Sequence, residues 1–248
     1  FSEQAVLRDI AIVCSLNNKA SLKFDGKQFQ KYGEPTEAAL RVIAEKIGAH
    51  DSNLGQVSYE QVPTAYGEYL EKQLKKVATL DFSSERKSMS TVVTGLNGNS
   101  NSLLLKGAPE RVIEKCASYK LATGQIQEFT PEQKKELIGK VQQVATQGLR
   151  CLAMAVINDG GKLKNLKEDL LEDMLSDLNQ YNEYETGGSF LGVVCIRDPP
   201  RQEVKAAIQD CKTAGIRVMM ITGDSKETAV AIAKEIDIID KDSDVSRN

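Results

Sequence analysis

The chain has no tryptophan and a single histidine, His50, among its 248 residues, and aromatic side chains make up only 5% of it. So few flat rings disfavour a carbohydrate-stacking surface. A Ser/His/Asp or Cys/His hydrolase needs a histidine base, and His50 lies in a polar stretch beside Asp51, poorly suited to that task. The five cysteines (Cys14, Cys116, Cys151, Cys195, Cys211) are odd in number and widely spaced, with no Cys-x-x-Cys pair. That spacing argues against a zinc site or a disulfide framework. The burial tendency of cysteine instead predicts buried thiols in a reducing compartment. Neither sign of charge dominates: 32 Lys+Arg against 35 Asp+Glu leave a net charge of −3, which argues against a generic polyanion binder and hence against nucleic acid. No apolar run approaches the roughly 18 residues needed to cross a bilayer. The first residues do not read as a signal peptide, so the chain as given is expected to be soluble and monomeric.

The chain has 41% hydrophobic and 27% charged residues, near the globular average, and its length permits one large or two modest domains. Helical periodicity is predicted over residues 3–16, from Pro35 through Ile47, and more weakly over 66–76. Residues 78–82, 90–94 and 103–106 are strand-like, and the polar turn at 97–101 makes the last two an antiparallel hairpin. Residues 109–116 and 131–147 read as helices with proline in the first turn, and 152–157 as a strand. This order predicts an α+β domain on a mainly antiparallel sheet flanked by helices. Residues 158–188 are polar and acidic, and most of them are expected to form a surface excursion.

The last quarter alternates differently. Residues 190–196 suit a buried strand, Asp198-Pro199-Pro200 stops it, and Val204, Ala207, Ile208 and Cys211 mark one face of a helix ended by Gly215. Residues 216–221 then predict a second buried strand, followed by Thr222-Gly223-Asp224 and another helix. Strand, helix, strand, helix implies a parallel α/β unit, but two parallel strands cannot complete an open sheet. This unit is therefore expected to be partial, completed from elsewhere or by borrowing from residues 1–189.

Several short motifs could carry chemistry. Lys106-Gly107-Ala108-Pro109-Glu110 offers a point charge at a strand end and a glycine beside which a ligand could sit; taken alone, it reads first as an ordinary strand-to-helix turn. Phe82 precedes a basic cluster containing Arg86 and Lys87, where a ring could stack on a base or simply belong to the core. Glu37 sits in a first helical turn, where the dipole alone would stabilise it. Arg150 could pair with phosphate. Asp224 could be no more than a helix cap. Neither a P-loop nor a dinucleotide fingerprint is present.

Taken together and in order, these stretches resemble the P-type ATPases. They are Gly33-Glu34-Pro35-Thr36-Glu37-Ala38-Ala39-Leu40, residues 82–90, residues 106–110, Leu149-Arg150-Cys151-Leu152-Ala153, Asp198-Pro199-Pro200-Arg201 and Thr222-Gly223-Asp224-Ser225-Lys226. Within that family they are most similar to the sarco/endoplasmic-reticulum calcium pumps, plant-type members included. The resemblance implies a nucleotide-binding domain over 1–196, then a hinge and part of a haloacid-dehalogenase-like phosphorylation domain over 197–248. By the same resemblance, Phe82 would stack on adenine, Glu37 would accept from its amino group, and Lys106, Gly107 and Lys87 would line the pocket. Arg150 would reach the phosphates. Thr222, Gly223 and Asp224 would face the transferred phosphoryl group. Ser84 stands where the family commonly has arginine, so phosphate binding is expected to lean more on Arg86, Lys87 or Arg150, or to be weaker.

The implied cofactors are ATP and, with it, Mg²⁺. The implied partners are the rest of a pump and, as cargo, calcium, at the cytoplasmic face of the endoplasmic reticulum. The family's phosphorylated aspartate signature and its Gly-Asp-Gly-x-Asn-Asp segment do not occur in these residues, so the chain by itself is expected to bind ATP without turning it over. Two other readings remain: a soluble dehalogenase-like phosphatase and a non-enzymatic nucleotide-binding regulatory module.

Overall fold

The structure, a computed structural model, describes residues 5–49, 54, 62–96, 98–158, 163–164, 175–197, 200–222 and 226–240. The chain divides into two compact units. One is formed by Phe1–Glu136 with Leu152–Val194, the other by Leu137–Cys151 with Cys195–Asn248.

The frame of the first unit is a seven-stranded sheet in the order β3-β4-β5-β8-β9-β6-β7. Its strands are β3 (Lys75–Ser83), β4 (Ser88–Gly95), β5 (Gly98–Gly107), β6 (Cys116–Lys120), β7 (Ile126–Glu128), β8 (Leu149–Ile157) and β9 (Gly188–Arg197). β3-β4, β4-β5, β5-β8 and β6-β7 pair antiparallel, and β6-β9 pair parallel. A separate two-stranded hairpin joins β1 (Ser21–Phe24) to β2 (Phe29–Tyr32). Its turn is closed by Asp25, whose Oδ1 accepts the N–H groups of Lys27 and Gln28 at 2.9 Å each. Gly26 there takes φ 92°, as the tight reversal requires.

Residues 88–93 of β4 are buried without alternation, because both faces of the sheet are covered. On one face lie α1 (Ala5–Leu16), α2 (Pro35–Gly48) and α3 (Val62–Gln73). Cys14 Sγ of α1 reaches Met154 Sδ of β8 at 3.5 Å. The Tyr66 ring of α3 fills the space beside Gly48, where a Cβ would stand 1.9 Å from it. Against the other face pack Leu163, Tyr181 and Tyr184, joining Leu80, Val92, Leu103 and Ile157 in one apolar cluster. Tyr181–Tyr184 is a single helical turn, α6; α4 (Pro109–Lys115) and α5 (Pro131–Ala145) precede it.

Part of the expected surface excursion over 158–188 lies outside the described residues, and most of its described residues are exposed, but it is anchored in the core. Its described part supplies core residues, and Asn101 binds it through its backbone N–H to the Lys164 carbonyl (2.8 Å) and through Nδ2 to the Leu163 carbonyl (2.6 Å). The expected third helix also ends earlier than 66–76, since Lys75 and Lys76 already belong to β3.

In the second unit, α7 (Gln202–Thr213) turns Val204, Ile208 and Cys211 inward as half-buried residues. It ends at Gly215, φ 72°, with the Ile216 N–H donating to the Cys211 carbonyl at 2.8 Å. The second parallel strand does not form. Residues 216–221 are irregular, and Ile216, Met219 and Ile221 are 57%, 71% and 95% exposed. β9 already has β8 on one side and β6 on the other, so its parallel pairing is met by β6. A lone parallel strand has nothing to bond to. α8 (Lys226–Glu235) follows and buries Ala233; Ile236, just beyond its end, is also buried.

The cysteines also depart from expectation. Cys14 and Cys116 are buried, Cys151 and Cys211 half-buried, and Cys195 exposed. His50 and Asp198-Pro199 lie outside the described residues.

Candidate nucleotide site

Proline at the first helical position fixes the start of α2 and places Glu37 in its first turn. Glu37 Oε1 accepts a hydrogen bond from Lys106 Nζ at 2.7 Å, and its Oε2 accepts the Lys19 backbone N–H at 3.0 Å. Lys106 stands near the end of β5 and is only 6% exposed. Its ammonium also donates to the Asn17 carbonyl. Burial lowers the Lys106 pKa, and the Glu37 carboxylate works against that shift. A buried cation is held here by a half-buried carboxylate that keeps lone pairs free for another donor.

Two asparagines after α1 organise this corner, and no motif in the sequence marks them. The Asn17 side chain donates to the carbonyls of Met89 (2.9 Å) and Leu104 (3.1 Å) and accepts from Thr91 Oγ1 (3.0 Å). Asn18 Nδ2 donates to the carbonyls of Cys14 and Glu37, both at 2.8 Å. The only legible signal is polarity where a helix ends, and that suits any cap.

Phe82 is on edge strand β3 with its ring open to solvent, 61% exposed. Ser88 of β4 pairs with Ser83 of β3 and with Gly107 of β5, and Met89 pairs with Lys106, while the β3-β4 register shifts between Leu80 and Ser83, the stretch that holds Phe82. Phe82 and Lys106 thus stand on β3 and β5, strands separated by β4 and two strand spacings, about 10 Å, apart. Lys19 bridges the same gap on the surface: its Nζ meets Asp81, the residue before Phe82, at 2.5 Å.

Lys87 is exposed and takes φ 51° in the turn between β3 and β4. Its carbonyl accepts the Ala108 N–H at 2.9 Å and would lie 2.4 Å from a Cβ on Gly107. The room left by Gly107 is therefore filled by the Lys87–Ser88 backbone. Arg150 is exposed near the start of β8, and Thr222 is exposed in the irregular segment. Both belong to the second unit. Gly223 and Asp224 lie outside the described residues.

On the opposite face of β4, the Glu185 side chain is fully buried and serves four groups. It pairs with Arg86 Nη1 and with Lys115 Nζ (2.6 Å), and it accepts from Ser88 Oγ (2.7 Å) and Ser90 Oγ. Burial pushes its carboxyl up, yet the bonds from Lys115, Ser90 and Ser88 outweigh it and leave the pKa below the ordinary value. Arg86 further donates to the Asp81 carbonyl and lies over the Tyr181 ring, 4.9 Å from its centre. A cleft of about 760 Å³ opens on this side, lined by Phe82, Arg86, Arg111, Lys115 and Tyr181 among others. Neither Glu37 nor Lys106 lines it. Of the expected contacts, Phe82 and Arg86 border the cleft, and Arg86 is already paired there with Glu185.

Among the described residues, no group of three or more His, Cys, Asp or Glu side chains converges as a metal cage would require. The described residues do not by themselves fit Mg²⁺. No helix among them is long and apolar enough to cross a membrane.

A family profile described as "P-type ATPase, cytoplasmic domain N" matches residues 6–203. The chain belongs to the P-type ATPases. It is 39% identical over 255 residues to Calcium-transporting ATPase 2, endoplasmic reticulum-type, of Arabidopsis thaliana, covering 98% of this chain and 24% of that protein. To Calcium-transporting ATPase 4, endoplasmic reticulum-type, of the same plant it is 36% identical over 245 residues, covering 98% of this chain and 23% of the relative. The chain thus spans about a quarter of the length of these relatives, over the family's cytoplasmic domain N.

Proposed function

We propose that this P-type ATPase chain binds ATP and presents it for phosphoryl transfer to an aspartate elsewhere in a longer, calcium-transporting pump of the endoplasmic reticulum membrane. The observation that carries the reading is the Glu37–Lys106 pair at 2.7 Å, with the exposed Phe82 ring on the edge strand two places along the same sheet. Phe82 stacks on the adenine face, an interaction worth roughly 1–3 kcal/mol. Glu37 accepts from the exocyclic amine with the lone pairs that Lys106 and Lys19 leave free. Lys106 compensates the charge of that carboxylate in a dry corner. Lys87 and Arg150, both exposed, are the cations for the phosphates, and Ser84 offers only a hydroxyl where a third cation would help. Thr222, Gly223 and Asp224 are assigned to the phosphoryl group after transfer. Mg²⁺ enters with the nucleotide. Calcium and the remaining pump domains are partners by the same reading.

One stack and a few partly exposed polar contacts must offset the entropy of association, so the expected Kd for ATP is roughly 0.1–1 mM. Equilibrium dialysis of the chain with ATP tests this. Phe82→Ala should raise Kd by at least about fivefold, the low end of the stacking range. Equal affinity in the two proteins would remove Phe82 from the site and the slot with it.

A further inference from the structure

Two of the five cysteines are adapted to packing. Cys14 and Cys116 are buried, and burial pushes both thiols up to about 12. Cys151 and Cys195 differ from them. They stand on β8 and β9, neighbours in the sheet, with their sulfurs 3.6 Å apart, and Cys195 is open to solvent. A disulfide needs about 2.05 Å between sulfurs, so the remaining gap of about 1.5 Å is within the reach of side-chain rotation between adjacent strands.

We propose that Cys151 and Cys195 form a thiol–disulfide exchange site that takes a small disulfide such as oxidised glutathione and closes into an intramolecular Cys151–Cys195 bond. Cys195, the accessible thiol, reacts first. Its thiolate attacks one sulfur of oxidised glutathione and the glutathione S–S bond breaks. One glutathione leaves as a thiolate and takes up a proton, while the other stays on Cys195 as a mixed disulfide. Cys151 then releases its proton to solvent and attacks Cys195 Sγ, expelling the second glutathione. Two cysteine thiols are oxidised by two electrons, and one glutathione disulfide is reduced to two thiols. The order follows from the surroundings: burial and the neighbouring thiol push Cys151 up to about 12, so it resolves rather than initiates. The bond would staple β8 to β9 across 44 residues of sequence, directly after Arg150.

The test needs no nucleotide and is separable from the ATP reading. The 248-residue chain is incubated with oxidised glutathione at pH 8, remaining thiols are alkylated under denaturing conditions, and peptides are mapped by mass spectrometry. The expected result is a linked Cys151–Cys195 peptide that dithiothreitol restores to two thiols, with Cys14 and Cys116 recovered alkylated. Cys151→Ser should stop at a stable glutathione adduct on Cys195, and Cys195→Ser should give no link. Recovery of Cys151 and Cys195 both alkylated from the native chain would overturn the proposal. A persistent adduct on Cys195 beside a free Cys151 would do the same.

Discussion

At the scale of single residues, Glu185 holds both Arg86 and Lys115 while its own side chain is wholly buried. Removing one member of a buried charged cluster leaves the others uncompensated, which typically costs about 3–5 kcal/mol. Glu185→Gln should therefore lower stability by about 3 kcal/mol near pH 7, at the low end because the amide still accepts hydrogen bonds. The pH dependence has a definite sign. Because the folded carboxyl lies below its ordinary value of 4.5, the unfolded chain binds more protons and stability rises with pH through that region. Glu185's contribution is complete above the ordinary carboxylate range and is lost as pH falls below it. Urea unfolding of both proteins at several pH values should show the gap between them narrowing on acidification; a gap that widens would mean Glu185 is held in its neutral form. The sequence did not disclose this residue. Glu185 sits in a short acidic stretch that reads as solvated surface, and its partners lie 70 to 99 residues away along the chain.

At the scale of elements, β4 and β5 meet the strand-to-helix turn at Gly107, where a Cβ would stand 2.4 Å from the Lys87 carbonyl. That clash is with backbone and cannot be relieved by rotating a side chain, so Gly107→Ala should cost about 2–3 kcal/mol, the upper part of the overpacking range. The urea midpoint measures it; a change under about 0.5 kcal/mol, an ordinary surface effect, would mean the turn has slack. A contrasting case is the segment 216–221, whose Ile221 is 95% exposed. Ile221→Thr should leave stability within about 0.5 kcal/mol, whereas a core position would lose several times that.

The contrast between these elements explains what could be read in advance. α2, α4 and the β4-β5 hairpin carry local signals, proline at a first turn or a polar reversal between apolar runs, and they form where those signals stand. The β1-β2 hairpin carries such a signal in Asp25-Gly26 and its flanking Phe24 and Phe29, but strands of only four residues each are too short for their periodicity to be legible. β6 and β7 are short and largely polar, and only long-range pairing makes them strands. Residues 216–221 err the other way: their apolar pattern is right for a buried parallel strand, but pattern cannot supply the neighbours that such a strand needs.

At the scale of the whole molecule, the sheet has two differently equipped faces beside one edge. One carries Glu37 and Lys106 under α1 and α2; the other carries the Glu185 cluster and a cleft of about 760 Å³. Phe82 sits on the edge strand, so its exposure alone does not say which face receives a ligand. The motif resemblance identified Glu37 and Lys106 individually, and their contact is a property of the fold, since 69 residues separate them. Backbone amide shifts during an ATP titration of the isotope-labelled chain decide between the faces. Binding as proposed predicts the largest changes at Lys19, whose N–H rests on Glu37, and at Phe82 and Lys106. Changes confined to Arg111, Lys115, Tyr181 and Asn182 would put the nucleotide in the opposite cleft and contradict the assigned site.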